Sequence, residues 1–121
     1  MSIALWCGVA FLGGVGAAAR FLLDWLVSLR LGFRFPFGTL AVNLSGAFLL
    51  GLLAGAAVEG DARLLAGTAL LGSYTTFSTW MLETQRLGEE GRQRAAVMNI
   101  ALSAAVGLAA VALGHALGAQ L

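Results

Sequence analysis

Four long apolar stretches, separated by short polar segments, constrain this chain more than any other feature of its sequence. The stretches cover Ile3 to about Leu29, Thr39 to Val58, Leu64 to about Leu87, and Ala95 to about Leu117. Each is long enough to cross a bilayer, because a spanning helix needs about 20 apolar residues. Backbone groups in hydrocarbon must be hydrogen-bonded within the protein, which favours helices. The sequence therefore predicts an all-α membrane protein with four transmembrane helices in a single domain, residues 1–121.

The composition excludes several classes of function. Hydrophobic residues make up 60% of the chain and charged residues only 11%, against about 25% charged residues in soluble domains. The chain has no lysine and a net charge of +1, so it lacks the clustered cations that bind nucleic acid. A single cysteine, Cys7, excludes an intrachain disulfide. No nucleophile with a partnered base, no catalytic carboxylate pair and no phosphate-binding loop is recognisable, so an enzyme is not expected.

The arginines predict an orientation in the membrane. Short connections make neighbouring helices antiparallel, so both termini are expected on one side. The first and third connections carry five arginines and the opposite side carries only one. The five are Arg30, Arg34, Arg86, Arg92 and Arg94, and the one is Arg63. Because cytoplasmic loops are rich in arginine, this count taken alone predicts both termini outside.

A cluster of hydroxyl groups lies in the third apolar stretch, where six of the seven residues from 73 to 79 carry one. One or two such side chains commonly bond back to the carbonyl one turn earlier in a continuous helix. Six of them beside Gly72 favour a different interpretation, because glycine weakens the helix and hydroxyls offer substitute partners to freed backbone groups. The pattern therefore favours a broken third helix that can coordinate an ion.

Other polar residues inside the apolar stretches admit two interpretations. Asn43, with Thr39 one turn before it, is either a functional amide or an interhelical hydrogen-bonding group that serves packing. Asn99 and Ser103 share one stripe of the fourth stretch, as expected for a packing seam with polar contacts.

Ionisable side chains and spaced glycines complete the set of candidate residues. Arg20 and Glu83 are the ionisable residues deepest in the spans, and they either serve function or extend to the interface. Two pairs of glycines spaced four residues apart favour helix packing. These are Gly51 with Gly55 and Gly114 with Gly118.

These residues resemble the Fluc (CrcB) family of fluoride channels over nearly the whole chain. The most specific parts are GTLAVN at 38–43 and TTFST at 75–79, taken together. The remaining matches are Gly13, Gly14, Gly16, Ala17, Arg20, Gly46, Gly72, Glu83, Asn99 and Ser103.

The resemblance implies a fold and a function. The expected architecture is an antiparallel, dual-topology dimer of four-helix subunits, each with a broken third helix, enclosing two pores. Fluoride would pass through them passively out of the cytoplasm, across the inner or plasma membrane, which relieves its toxicity. Backbone carbonyls of Gly72 and Thr75 from both subunits would hold a central structural Na⁺. The arginine bias leaves open a heterodimer with an oppositely inserted homologue instead of a homodimer. Membrane lipid is the other expected partner.

The resemblance also implies roles for single residues. Asn43 would donate its amide hydrogens to fluoride, and Phe77 would present the electropositive edge of its ring. Three hydroxyl side chains would add donors: Ser78, Thr79 and Ser103. Trp80 stands where the family usually has a second Phe, and its indole keeps an electropositive edge and adds an N–H donor. Conduction is therefore expected to persist at a different rate.

Three further residues are assigned through the same resemblance. Arg20 would tether helices or attract anions at a vestibule. Glu83 would line the pathway near one end, together with Thr39.

Two other classes of protein are alternatives. A proton-coupled exporter of the small multidrug resistance type also has four helices, but it carries a membrane-embedded acid in its first helix. Here the only acid of that stretch, Asp24, lies in its outer part beside Arg20. A purely structural subunit would require the hydroxyl cluster, Asn43 and Ser103 to be incidental.

Overall fold

The computed structural model describes residues 1–121 and contains helices without strands. The helices are α1 (Ile3–Leu31), α2 (Phe37–Gly55), α3 (residues 60–74), α4 (Ser78–Glu89) and α5 (Gln93–Gly118). Within α3, the turns Gly60–Ala62 and Gly72–Tyr74 flank a π-helical segment, Arg63–Leu71. The prediction of an all-α fold is confirmed.

The ends of α1 follow from local sequence. The Ser2 side chain accepts a hydrogen bond from the Leu5 amide at 3.1 Å, which satisfies one of the free amides of the first turn. At the other end Gly32 has a φ of 88°, and its amide bonds the Ser28 carbonyl at 2.8 Å. Glycine adopts this left-handed conformation without steric cost. The chain therefore turns sharply into the connection that leads to α2.

Three of the helices are long and apolar enough to cross a membrane: α1, α2 and α5. The chain is thus a multi-pass membrane protein. The third apolar stretch of the sequence differs, because it is divided between α3 and α4 and neither part is long enough to span alone. The boundaries of the other helices lie within a few residues of those expected from the sequence.

Glycines bring α2 and α5 into direct backbone contact. Four glycines lie at this contact, two from each helix: Gly51, Gly55, Gly114 and Gly118. A Cβ atom on Gly51 would overlap the carbonyl of Val111, and one on Gly55 would overlap that of His115. Because the paired residues advance together along both helices, α2 and α5 run parallel. The interpretation of these glycines as packing residues is confirmed, and the packing is within the chain.

A second parallel pair is formed by α1 and α3. A Cβ on Gly8 would lie 3.1 Å from the Leu65 side chain, and one on Gly16 would overlap the Leu70 carbonyl and the Ser73 hydroxyl. The first half of the third stretch therefore runs in the same direction as α1. This contact also fixes Ser73, and with it the start of the hydroxyl cluster, against the middle of α1.

Most of the apolar surface has no partner within the chain. Only 16 of the 121 residues are buried, and large side chains along α1 are exposed, among them Trp6, Phe11, Phe21 and Trp25. Apolar surface of this extent is stable only against lipid or another protein. The single chain therefore leaves much of its apolar surface to be covered from outside, by lipid or by another protein.

Candidate functional site

The chain leaves the helical conformation between α3 and α4. Thr75 is extended, with φ −80° and ψ 159°, and the helix resumes at Ser78. The hydroxyl groups act in two ways here. Ser73 Oγ and Thr75 Oγ1 donate back to the carbonyls of Ala69 and Leu71, at 2.7 and 3.1 Å. Thr76 Oγ1 instead accepts from the Thr79 amide at 3.1 Å, in the first turn of α4. The predicted helix break is present in the structure.

Asn43 on α2 holds the break in place through two hydrogen bonds to one residue. Its Nδ2 donates to the Thr76 carbonyl at 2.8 Å, and its Oδ1 accepts from the Thr76 amide at 2.9 Å. Gly46, one turn further along α2, allows the Thr75 methyl group to approach, since a Cβ there would overlap it. An amide nitrogen carries two hydrogens. One hydrogen of Asn43 Nδ2 therefore remains for another acceptor.

At the break, the backbone carbonyls of Gly72 and Thr75 have no donor within the chain. The Thr75 amide bonds Leu71 and the Thr76 amide bonds Asn43, so no amide reaches the Gly72 carbonyl. The carbonyl of Thr75 likewise receives none. Between them, the Ser73 carbonyl accepts from Arg20 Nε at 3.4 Å.

These free carbonyls suit a hard cation. Carbonyl oxygens are ligands that such ions prefer, and Gly72 is exposed at the surface of the chain. No group of three or more His, Cys, Asp or Glu side chains offers another metal site. The residues expected to hold Na⁺ therefore have the right chemistry for it.

A groove of about 560 Å³ opens beside the break, between α2, α4 and α5. Its polar lining comes from Asn43, Thr75, Thr76 and Ser103, and its aromatic lining from Phe77 and Trp80. The structure thus brings together four of the residues predicted for an anion pathway: Asn43, Phe77, Trp80 and Ser103.

The two aromatic rings of the groove meet edge to face. The ring centroids of Phe77 and Trp80 are 5.9 Å apart and the ring planes are inclined at 86°. Phe77 is 69% exposed, so its ring is not part of a packed core. A T-shaped pair leaves part of an electropositive rim free to face the groove.

The indole N–H of Trp80 already has an acceptor. Nε1 donates to the Asn99 carbonyl at 3.2 Å. Asn99 Nδ2 donates to Thr84 Oγ1 at 2.9 Å, and Thr84 Oγ1 donates to the Trp80 carbonyl at 2.8 Å. In this structure the N–H is therefore not the additional donor toward the groove that the sequence suggested.

Glu83 and Thr39 lie apart from this groove. Glu83 lines a smaller cavity of about 130 Å³ with Asp24, Ser28 and Arg86. Its Oε1 is buried without a hydrogen-bond partner, and the hydroxyl of Thr39, a residue only 3% exposed, approaches the carboxylate. Glu83 and Thr39 therefore belong to a polar group that is separate from the groove.

Three more of the predicted residues lie outside the lining of the groove. Arg20 contacts the Ser73 carbonyl on the side facing α1. Ser78 is exposed, with its Oγ 3.4 Å from Thr76 Oγ1. Thr79 is joined to Thr76 through its amide. All three surround the break without lining the groove.

Sequence reasoning missed the roles of three polar residues in or beside these two sites. Thr76 was treated only as part of the hydroxyl cluster, yet its backbone holds Asn43. Thr84 was not singled out, although it lies one turn after Trp80. Asp24, bonded by Ser28 Oγ at 3.3 Å, was considered only as a proton carrier. The spacing of four residues from Trp80 to Thr84 was the available signal.

Comparison with known proteins identifies the family. The family model described as CrcB-like protein, Camphor Resistance (CrcB), matches residues 7–115. A protein of Mycolicibacterium paratuberculosis named fluoride-specific ion channel FluC 2 is 58% identical over 116 residues, covering 96% of this chain and 95% of that protein.

Two further relatives also match nearly the whole chain. The protein of that name from Mycobacterium tuberculosis (strain ATCC 25618 / H37Rv) is 56% identical over 115 residues, covering 95% of this chain and 91% of the relative. Fluoride-specific ion channel FluC 1 of Symbiobacterium thermophilum is 43% identical over 119 residues, covering 93% and 96%. These relatives are named as ion channels, in agreement with the expectation that the chain is not an enzyme. Because the family model and the relatives match nearly the whole length, the chain belongs to the CrcB family.

Proposed function

We propose that this protein is a fluoride-selective channel that lets fluoride leave the cytoplasm passively and so relieves its toxicity. The observation that carries the proposal is the groove at the helix break, where Asn43, Phe77, Trp80 and Ser103 meet. The relatives named fluoride-specific ion channels support the choice of ion. The proposed location is the plasma membrane, or the inner membrane of a cell that has two.

The lining of the groove suits a small anion that must lose its water. Asn43 offers one amide hydrogen and Ser103 offers a hydroxyl, and each replaces a water of hydration. The rims of the aromatic rings add weak positive potential. The groove lining contains no arginine or acidic residue. Neutral donors bind an anion without trapping it, and conduction requires that the ion can leave.

The remaining predicted residues extend this pathway. Ser78 and Thr79 start α4 beside Phe77 and would continue the row of hydroxyl donors. The second cavity, with Glu83 and Thr39, would form its far end. Arg20, bonded to the Ser73 carbonyl, would fix α1 to the break.

The direction of the helices supports a fourth crossing of the membrane. Because α2 and α5 run parallel in contact with each other, the chain between them must return across the same thickness. The segments α3 and α4 together would make this return. Irregular backbone at membrane depth is tolerated where it is buried in protein or lines a cavity, and the break at 75–77 lines the groove.

The complete channel would be an antiparallel dimer with two pores. Gly72, Phe77 and Ser78 are exposed around the break, and the groove is open on one side. A second copy inserted in the opposite direction would close the groove. It would also bring its own Gly72 and Thr75 carbonyls to a shared Na⁺. A heterodimer with an oppositely inserted homologue is the alternative that the arginine bias favours.

Efflux from liposomes tests the function directly. Vesicles containing the purified protein and loaded with potassium fluoride should release fluoride when valinomycin balances the charge, and chloride-loaded vesicles should release far less. Release should not require a proton gradient, which distinguishes a channel from a proton-coupled exporter. No fluoride release above that of empty vesicles would refute the proposal.

A further inference from the structure

Three hydrogen bonds form a closed loop around Trp80. The indole Nε1 donates to the Asn99 carbonyl at 3.2 Å, Asn99 Nδ2 donates to Thr84 Oγ1 at 2.9 Å, and Thr84 Oγ1 donates to the Trp80 carbonyl at 2.8 Å. Asn99 is only 1% exposed. The loop joins α4 to α5 directly beside the groove. It therefore connects the aromatic lining of the groove to a buried part of the helix packing.

This loop restricts the orientation of the indole ring. A polar N–H without an acceptor in an apolar environment costs free energy. Among the staggered side-chain conformations of Trp80, those that keep the N–H on the Asn99 carbonyl are therefore favoured. Phenylalanine at this position has no N–H and would lack this restraint.

The Asn99 side chain affects the Trp80 ring indirectly, because it fixes the distance between α4 and α5. Its amide is bonded to Thr84 on α4, which holds the Asn99 backbone at a fixed distance from Trp80. Loss of the amide would leave the Asn99 carbonyl in place on α5, but α4 could then shift relative to it. Thr84 completes the connection, because it both accepts from Asn99 and donates to the Trp80 carbonyl.

We propose that Asn99 and Thr84 are positioning residues for ion conduction. They hold the Trp80 indole at the lining of the groove, in its edge-to-face contact with Phe77. The indole N–H then donates to the Asn99 carbonyl and not to the anion. Trp80 thus serves the pathway through its ring rim alone. The role in conduction rests on the proposed fluoride channel function.

Paired backgrounds test the positioning role. The substitutions N99L and T84V each remove one link of the loop, and each is made both in the native protein and in a W80F variant. In the native background each substitution should slow the initial rate of fluoride release about tenfold. This change corresponds to an interaction free energy within the range measured between residues in contact. In the W80F background the same substitutions should change the rate by less than about twofold, because no indole remains to be held. T68V, the same change at an exposed position of α3, should leave the rate unaltered.

A spectroscopic measurement reports on the ring itself. In a W6F/W25F protein, Trp80 is the only tryptophan, and its fluorescence anisotropy decay measures the motion of the indole. N99L and T84V should enlarge the fast component of the decay, and T68V should not. An unchanged decay, or equal slowing of release in the native and W80F backgrounds, would overturn the proposal. If the native protein released no fluoride, the channel function would fail, and the anisotropy would still decide whether Asn99 and Thr84 hold Trp80.

Discussion

The side chain of Asn43 has two amide hydrogens, one bonded to the break and one available to the proposed anion. One hydrogen bonds the Thr76 carbonyl and keeps the backbone of the break against α2, while its oxygen accepts from the Thr76 amide. The second hydrogen is left for the proposed anion. The two bonds to Thr76 orient the amide group, so the free hydrogen has a defined direction. An aspartate has the same shape but no hydrogen to donate.

The variant N43D should therefore lose fluoride conduction. Its carboxylate would repel the anion and would also face the Thr76 carbonyl without a hydrogen between them. Charged hydrogen-bonding partners contribute about 1.5–3 kcal/mol, so a fall in the rate of efflux by at least tenfold is expected in the liposome measurement. Q120E, an amide-to-acid change at the exposed carboxyl end, is the matched control. Near-normal fluoride release by N43D would remove Asn43 from the pathway.

Single residues show how far the sequence could predict this site. Asn43, Phe77, Trp80 and Ser103 were expected together and share one groove. The two bonds between Thr76 and Asn43 could not be predicted, because Thr76 makes them with backbone atoms that any residue type carries. The engagement of the Trp80 N–H depends on a carbonyl 19 residues away, which no local pattern reveals.

The break at 75–77 separates two elements with different supports. The first, α3, packs along α1 through Gly16, and the second, α4, is joined to α5 through Trp80 and Asn99. Each half of the divided helix is thus fixed to a different long helix. Asn43 on α2 holds the backbone between them. The break therefore stays at one place although its own backbone makes few hydrogen bonds.

The α2–α5 contact predicts a sharp difference between two glycine substitutions. In G114A, the new Cβ would overlap the Phe48 carbonyl, whereas in G14A it would meet nothing within 4 Å. Overpacking typically costs about 1–3 kcal/mol, while alanine in an open helical position is favoured over glycine by about 0.5–1 kcal/mol. Thermal unfolding of the purified protein in detergent should therefore show a lower midpoint for G114A and not for G14A. Equal midpoints for the two variants would contradict the observed contact.

At the scale of the whole molecule, the exposed apolar faces and the open groove both require something outside the chain. Lipid can cover apolar faces, but it cannot satisfy the free carbonyls of Gly72 and Thr75. A second copy and a cation can do so. The polar groups of the break therefore support the proposed dimer, and so do its apolar surroundings.

Topology in cells tests the antiparallel arrangement. In a C7S/Q120C protein, the only thiol lies at the exposed carboxyl end. If the chain inserts in both directions, a membrane-impermeant maleimide should label about half of the protein in intact cells and all of it after permeabilisation. The arginine bias alone favours one direction, with the carboxyl end outside. Labelling that is complete in intact cells, or absent, would rule out pairing with itself in opposite orientations.

Removal of sodium tests the proposed cation site. A ligand that binds only the assembled state stabilises it, by about 2.7 kcal/mol at a hundred times its dissociation constant. The dimer fraction of the detergent-solubilised protein should therefore rise with NaCl and saturate. N-methylglucamine chloride at equal ionic strength is the control, because this large organic cation should not fit between carbonyls. The same dimer fraction in both salts would argue against a structural Na⁺.

The sequence by itself determined that the chain is a helical membrane protein, because long apolar stretches in hydrocarbon leave the backbone no other means of satisfying its polar groups. It also determined where the third stretch breaks, since glycine and clustered hydroxyls act over a few neighbouring residues. Only the tertiary structure decided which polar side chains meet. It placed Asn43 on the Thr76 backbone, turned the Trp80 N–H to Asn99 and separated Glu83 from the groove. These contacts depend on how the helices pack, and that packing joins residues far apart in the chain.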